Sequence, residues 1–176
     1  MNVKELLNLK NKVILVTGGA GLYGKCIVEG LAEAGGTVII ASRNIAHVEE
    51  VADRFRQNNL DVHAMQVDQG DHSSILALKN EIENRFGRLD VFVNNAVARP
   101  MKGYDDPVEN IAVSMQINAT GSMDILREMC DLIARSGGGS VINISSMMGM
   151  YGPDLSNYEG TSMGNPPPDY FFHRGG

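Results

Sequence analysis

The apolar run Val13-Ile14-Leu15-Val16 stops at Thr17, and four glycines follow within seven positions, Gly18, Gly19, Gly21 and Gly24. Ile27, Val28, Leu31 and Ala32 then recur at helical spacing. A continuous run of branched apolar residues is the pattern of a strand buried on both faces of a parallel sheet. Strand, tight turn and helix is therefore the local structure this stretch specifies. Glycines at such a turn let backbone N–H groups approach a ligand, and the helix N-terminus behind them carries partial positive charge. Together they form a site suited to phosphate.

The alternation continues along the chain. Strands are expected near residues 12–17, 37–41, 61–67, 89–93 and 140–144, and helices near 22–34, 45–58 and from a cap at Asp71 or Ser73 to Phe86. Asn44 is placed to cap the second of these helices. Residues 108–118 and 119–135 read as one long helix or two abutting ones, and the Ser136–Gly139 stretch breaks them. Strands separated by helices of this length imply βαβ units. The expected fold is α/β: a Rossmann-like three-layer αβα arrangement around a mostly parallel, doubly wound sheet. Such a sheet binds ligands at the carboxyl ends of its strands, where the strand order switches.

At 176 residues the chain suits a single domain, 1–176, with an irregular active-site loop region over 147–176 where no periodicity survives. The net charge of −6 contains no block of either sign, which disfavours a nucleic-acid or anionic-membrane surface. No apolar run approaches the length of a membrane span, and the first residues are too polar for a signal peptide, so a cytoplasmic location is expected. Cys26 and Cys130 lie inside expected helices and read as reduced, packed thiols. Neither they nor the four histidines show metal-ligand spacing, and no metal site is expected.

Two phosphate-binding motifs compete for the opening turn. Gly19, four residues, then Gly24-Lys25 fits the P-loop frame, but Cys26 stands where the magnesium-binding hydroxyl belongs. A neutral thiol is a poor ligand for so hard a cation. The dinucleotide fingerprint instead expects an acid at the end of the second strand, for the ribose 2′-OH. Here that end reads Ser42-Arg43-Asn44. An arginine suits a 2′-phosphate, through charge-assisted bidentate hydrogen bonds. The cofactor expected is NADP rather than NAD.

The chain resembles the short-chain dehydrogenases/reductases. Thr17-Gly18-Gly19-Ala20-Gly21-Leu22-Tyr23-Gly24 is similar to the family's TGxxxGxG turn, with Leu22 in place of the middle glycine. Asp68 resembles the adenine-side acid, and Asn94-Asn95-Ala96 the NNAG strand end with Val97 replacing its glycine. Ile117-Asn118-Ala119-Thr120-Gly121 resembles the segment of the catalytic asparagine, and Ser140 to Ser146 the strand presenting the catalytic serine. The resemblance implies cofactor contacts from Thr17, Gly18, Gly21, Leu22, Tyr23, Gly24, Ser42, Arg43, Asn44, Asp68, Asn95 and Ala96. It also implies two more strands and several helices beyond Gly176, so the chain reads as C-terminally truncated, with a homo-oligomer expected of a full-length form.

The family's reaction is hydride transfer between a nicotinamide and a carbonyl or secondary alcohol. A free phenol titrates near 10, so the family pairs its acid tyrosine with a cation one helical turn on. Tyr158 lies twelve residues past Ser146 but is followed four residues later by Ser162, whereas Tyr170 gives Tyr-x-x-x-Arg with Arg174. The catalytic set implied is Asn118, Ser146, with Ser145 its close rival, Tyr170, with Tyr158 its alternative, and Arg174. Arg174 replaces the usual lysine and does not release a proton at working pH. The alternative is thus a catalytically impaired or inactive dinucleotide-binding scaffold. The stretch from Tyr158 to Met163 resembles a loop of the subgroup that modifies polysaccharides or flagellin sugars, which implies a small-molecule substrate and allows a sugar derivative.

Overall fold

The computed structural model describes residues 2–175, with the side chains of Lys4, Phe172 and Arg174 outside the described set. A short capped helix, α1 (Val3–Leu6), precedes β1 (Val13–Thr17), α2 (Leu22–Glu33), β2 (Thr37–Ser42), α3 (Ile45–Gln57), β3 (Val62–Gln66), α4 (His72–Phe86) and β4 (Val91–Asn94). Then come α5 (Val108–Met115), a π-helical turn (Gln116–Gly121), α6 (Ser122–Arg135), β5 (Ser140–Asn143), two 3₁₀ turns (Met147–Gly149 and Leu155–Tyr158) and α7 (Pro168–Gly175). All five strands are parallel, in the order β3-β2-β1-β4-β5.

Strand β1 is buried along its whole length, as its unbroken apolar run requires. Successive side chains point to opposite faces and split the core in two. Val13 and Leu15 join Ile39, Phe92, Ile75, Leu78, Ile82, Ile125 and Met129 under α4 and α6. Ile14 and Val16 join Val38, Ile40, Val28, Ala32, Val48 and Val51 under α2 and α3. Two helical layers thus sandwich the sheet, the three-layer arrangement expected.

Local chemistry sets the element ends. Asn44 accepts the His47 N–H and caps α3. Asp71, rather than Ser73, caps α4. The hydroxyl and the backbone amide of Ser73 hold the Asp71 carboxyl below its ordinary value. Gly87 closes α4 in the left-handed conformation, at φ 71°. Helices α5 and α6 run on through the π turn, so the two candidate helices are one interrupted rod.

The expectation that both thiols are packed is corrected by the structure. Ile125, Met129, Leu132 and Ile133 are buried, whereas Met123 and Cys130 face solvent. Leu126 is partly buried against the same core cluster. Cys26 is exposed as well, its thiol directed back to the Leu22 carbonyl, so neither cysteine is packed. The 147–176 region is not irregular throughout, since it carries the two 3₁₀ turns and α7. Strand β5 pairs with β4 on one side, and all four of its residues are exposed.

At the sheet's N-terminal edge, Asp90 is 2% exposed. Its carboxylate accepts the Val13 N–H at 2.9 Å, two Arg88 guanidinium N–H groups at 2.9 and 2.5 Å, and the Lys12 ammonium at 3.3 Å. Burial alone would raise this carboxyl, but the hydrogen bonds from Arg88, Val13 and Lys12 together outweigh it and hold it below the usual range. This cluster ties β1 to the start of β4 and leaves the opposite edge of the sheet for ligands.

Candidate functional site

The site is built at the carboxyl ends of β1 and β4, where the strand order reverses direction. The turn after β1 is shaped by close backbone packing. Gly18 has φ 66°, and a Cβ there would lie 3.0 Å from the Ala96 Cα. A Cβ on Gly24 would sit 2.2 Å from the Gly18 carbonyl oxygen, and one on Gly19 2.6 Å from Ile40 Cγ2. These glycines bring the start of α2 down onto the sheet. Gly21 is the N-cap of α2, and no side chain caps the helix there. Its first N–H groups therefore face the mouth of the turn, the arrangement that receives phosphate. Leu22 and Tyr23, at the lip, are 92% and 82% exposed.

Thr17 and Asn95 fasten this turn to β4. The buried Thr17 hydroxyl accepts the N–H groups of Asn95 and Ala96, each at 3.2 Å, and reaches the Val93 carbonyl at 3.5 Å. The Asn95 side-chain amide donates to the carbonyls of Thr17 and Gly18 at 3.0 and 3.3 Å. Both residues thus shape the cradle through their own hydrogen bonds.

A first cavity of about 250 Å³ opens beside the turn, with Ser42, Arg43, Asn44, Asp68, Gln69, Ala96 and Ile117 among its walls. Arg43 is exposed at its rim, and the Arg43 carbonyl is held by the Gln66 amide at 3.1 Å. Asp68 accepts the Gly70 N–H at 2.9 Å, which folds the loop after β3 towards the cavity. Seven of the residues expected around the cofactor thus fall into two adjoining places: Gly18, Gly21 and Gly24 in the turn, and Ser42, Arg43, Asn44 and Asp68 in the cavity.

A second cavity of about 380 Å³ adjoins the first at Ala96 and includes Asn118, Asn143, Ser145 and His173 in its wall. Asn118 sits in the π turn. Its amide exchanges two hydrogen bonds of 2.8 Å with the N–H and carbonyl of Ala98, which ties it to the segment following β4. The Asn118 amide nitrogen and the Ser114 hydroxyl lie 3.3 and 3.2 Å from His173 Nδ1. The same Asn118 nitrogen donates to the Ser114 hydroxyl at 3.1 Å, so the three side chains form one cluster.

The hydroxyl of Ser146 accepts the Met148 N–H at 3.2 Å and caps the first 3₁₀ turn, whereas Ser145 lines the second cavity. Tyr170 packs edge-on against Phe171 and His173, with the Arg99 guanidinium 5.1 Å from its ring centroid. The side chain of Arg174 lies outside the described residues. Ser114, Gln69 and His173 are neighbours of the site that sequence reasoning passed over. Gln69 and Ser114 belong to no motif, and His173 reads simply as part of the aromatic run Tyr170-Phe171-Phe172.

The family model described as short chain dehydrogenase matches residues 12–164. The chain belongs to the short chain dehydrogenase family. It is similar to a short chain dehydrogenase/reductase of Colletotrichum higginsianum, 34% identical over 152 residues that make up 81% of this chain and 55% of that protein. It is also similar to the post-translational flagellin modification protein A of Campylobacter coli, 26% identical over 88% of this chain and 63% of that one. Among solved structures, a short-chain type dehydrogenase/reductase from Mycobacterium marinum superposes with a TM-score of 0.86 at 22% identity, covering 99% of this chain and 68% of that chain, which supports the fold. Against curated relatives this short chain dehydrogenase spans as little as 42% of their length. Among its described residues no helix is long and apolar enough to cross a membrane.

Proposed function

We propose that this short chain dehydrogenase is an oxidoreductase that holds NADP across the turn after β1. The observation that carries the reading is the first cavity: its rim bears Ser42 and Arg43 with no acid at the end of β2, and at Ala96 it adjoins the glycine turn and the uncapped N-terminus of α2. The cradle would take the pyrophosphate, Arg43 and Ser42 the 2′-phosphate, and Asp68 the adenine side. The cofactor would supply hydride to, or take it from, a carbonyl or secondary alcohol.

The chain's own groups have the remaining tasks. The hydroxyl of Ser146 would donate to the substrate oxygen. Ser145 is its rival, because it already faces the second cavity while Ser146 holds Met148. Asn118 would fix the turn beneath the substrate. Tyr170 would hold the proton exchanged with the substrate oxygen, with Arg174 the cation of the Tyr-x-x-x-Arg frame. The second cavity is lined by Asn94, Asn118, Asn143, Ser122, Ser145 and His173 beside the apolar Met123, Leu126 and Ile144. The neutral amides and hydroxyls among them match a hydroxyl-rich small molecule, so a sugar derivative is the substrate class proposed.

Arg43→Ala tests the cofactor reading. Losing charge-assisted hydrogen bonds to a 2′-phosphate should weaken NADPH binding roughly 10- to 100-fold, while NADH changes by less than about 3-fold. Fluorescence titration of both nucleotides measures it. A wild-type preference for NADH, or equal losses for the two, would overturn the assignment.

A further inference from the structure

We propose that Gln69 is a positioning residue that joins the adenine-side cavity to the catalytic asparagine. The inference rests on the reading of the first cavity as the cofactor's adenosine end.

Gln69 is 5% exposed and directly follows Asp68 in the loop after β3. Its side-chain nitrogen donates to the Ile117 carbonyl at 3.0 Å and to the Ser122 hydroxyl at 2.9 Å. Two acceptors on one nitrogen fix the amide's orientation, and Oε1 is left buried without a protein partner. The bonds span the π turn, since Ile117 lies inside it and Ser122 just past its end. A π turn interrupts the hydrogen-bond pattern of an α-helix and recurs at functional sites, so tertiary contacts matter to holding it. Here one side chain clasps it from both ends.

The backbone of the same loop closes the joint. A Cβ on Gly121 would lie 2.0 Å from the Gln69 carbonyl oxygen, so only glycine lets the turn come this near. The Gln116 amide reaches the Gly70 carbonyl at 3.4 Å. Gln69 and Ile117 both line the first cavity, and Asn118, the next residue, lines the second. A ligand seated against Asp68 therefore presses on the pair whose hydrogen bond holds the peptide beside Asn118. Sequence carries no hint of this, because Gln69 lies over forty positions from the residues it holds.

The Ala98 amide reports on the joint, since its N–H donates to Asn118 Oδ1. Gln69→Met keeps the side-chain length and removes the donor. Hydrogen exchange followed by NMR should show the Ala98 amide exchanging about 10-fold faster in this variant, with the amides of Ile39 and Phe92 changed by less than about 2-fold. In the wild type NADPH should slow Ala98 exchange; in Gln69→Met, saturated with NADPH, that slowing should be lost. Ala98 exchange unchanged, or accelerated no more than the sheet amides, overturns the proposal. If Gln69→Met does not fold, Ser122→Ala removes one of the two acceptors and should still speed Ala98 exchange selectively; no change there overturns it equally. Should NADPH fail to bind the wild type, the cofactor reading falls, and the ligand-free comparison still decides whether Gln69 positions Asn118.

Discussion

Replacing Gly24 by alanine should disable the cofactor turn. Helix propensity favours the change by about 1 kcal/mol, since Gly24 lies inside α2. Packing opposes it more strongly. The new methyl would lie 2.2 Å from the Gly18 carbonyl oxygen and 2.7 Å from the Gly19 Cα, and both are backbone atoms that cannot rotate away. Overpacking of this kind costs about 1–3 kcal/mol or more, and relief requires α2 to lift from the turn. The net expectation is a melting temperature lower by about 4 °C or more. NADPH affinity should fall about 100-fold, because the helix N–H groups then miss the pyrophosphate. Thermal melts and fluorescence titration measure the two effects. Wild-type affinity in a Gly24→Ala protein would mean that the turn is not the pyrophosphate seat.

Asp90→Ala should produce the largest loss of stability without touching the ligand edge of the sheet. The substitution strands the buried Val13 N–H and leaves Arg88 and Lys12 without their shared carboxylate. Arg88 and Lys12 are about half exposed, so solvent screens their share, and the buried backbone partner counts for more. The expected cost is about 3 kcal/mol, or roughly 6–12 °C in melting temperature. The sign with pH follows from the depressed carboxyl. A carboxyl lower in the folded than in the unfolded state adds stability that is whole above its unfolded value near 4 and disappears as pH falls through the folded value. The gap between wild type and Asp90→Ala should therefore be full at pH 7 and narrow steadily below pH 4. Urea unfolding at pH 7 and pH 3 tests this, and a gap that is constant or grows in acid would contradict it.

Much of the fold was legible because its signals are local. Unbroken apolar runs marked β1 and β2, glycines marked the turn, and Asn44 and Asp71 announced the helices they cap. Local signals do not say which face of a helix meets the sheet. The same limit applied to Cys26 and Cys130, which helical periodicity placed inside helices but which the packing leaves outside the core.

The proposed cofactor half of the site lies in short contiguous stretches, the glycine turn and Ser42-Arg43-Asn44, which a sequence can mark as candidates. The proposed catalytic half does not. Its parts come from the π turn, the end of β5 and α7, and their meeting depends on how those elements pack. Only the packing brings His173 Nδ1 to the Asn118 amide, sets Ser145 in the cavity wall while Ser146 caps a turn, and clasps the π turn with Gln69.

By itself, then, the sequence determined a parallel α/β sheet and the short chain dehydrogenase family, and it marked the turn proposed to seat phosphate, because periodicity and contiguous glycines act over a few residues. The tertiary structure decided which polar side chains surround Asn118 and what holds its turn, because those hydrogen bonds join residues about fifty positions apart and exist only once the layers have packed.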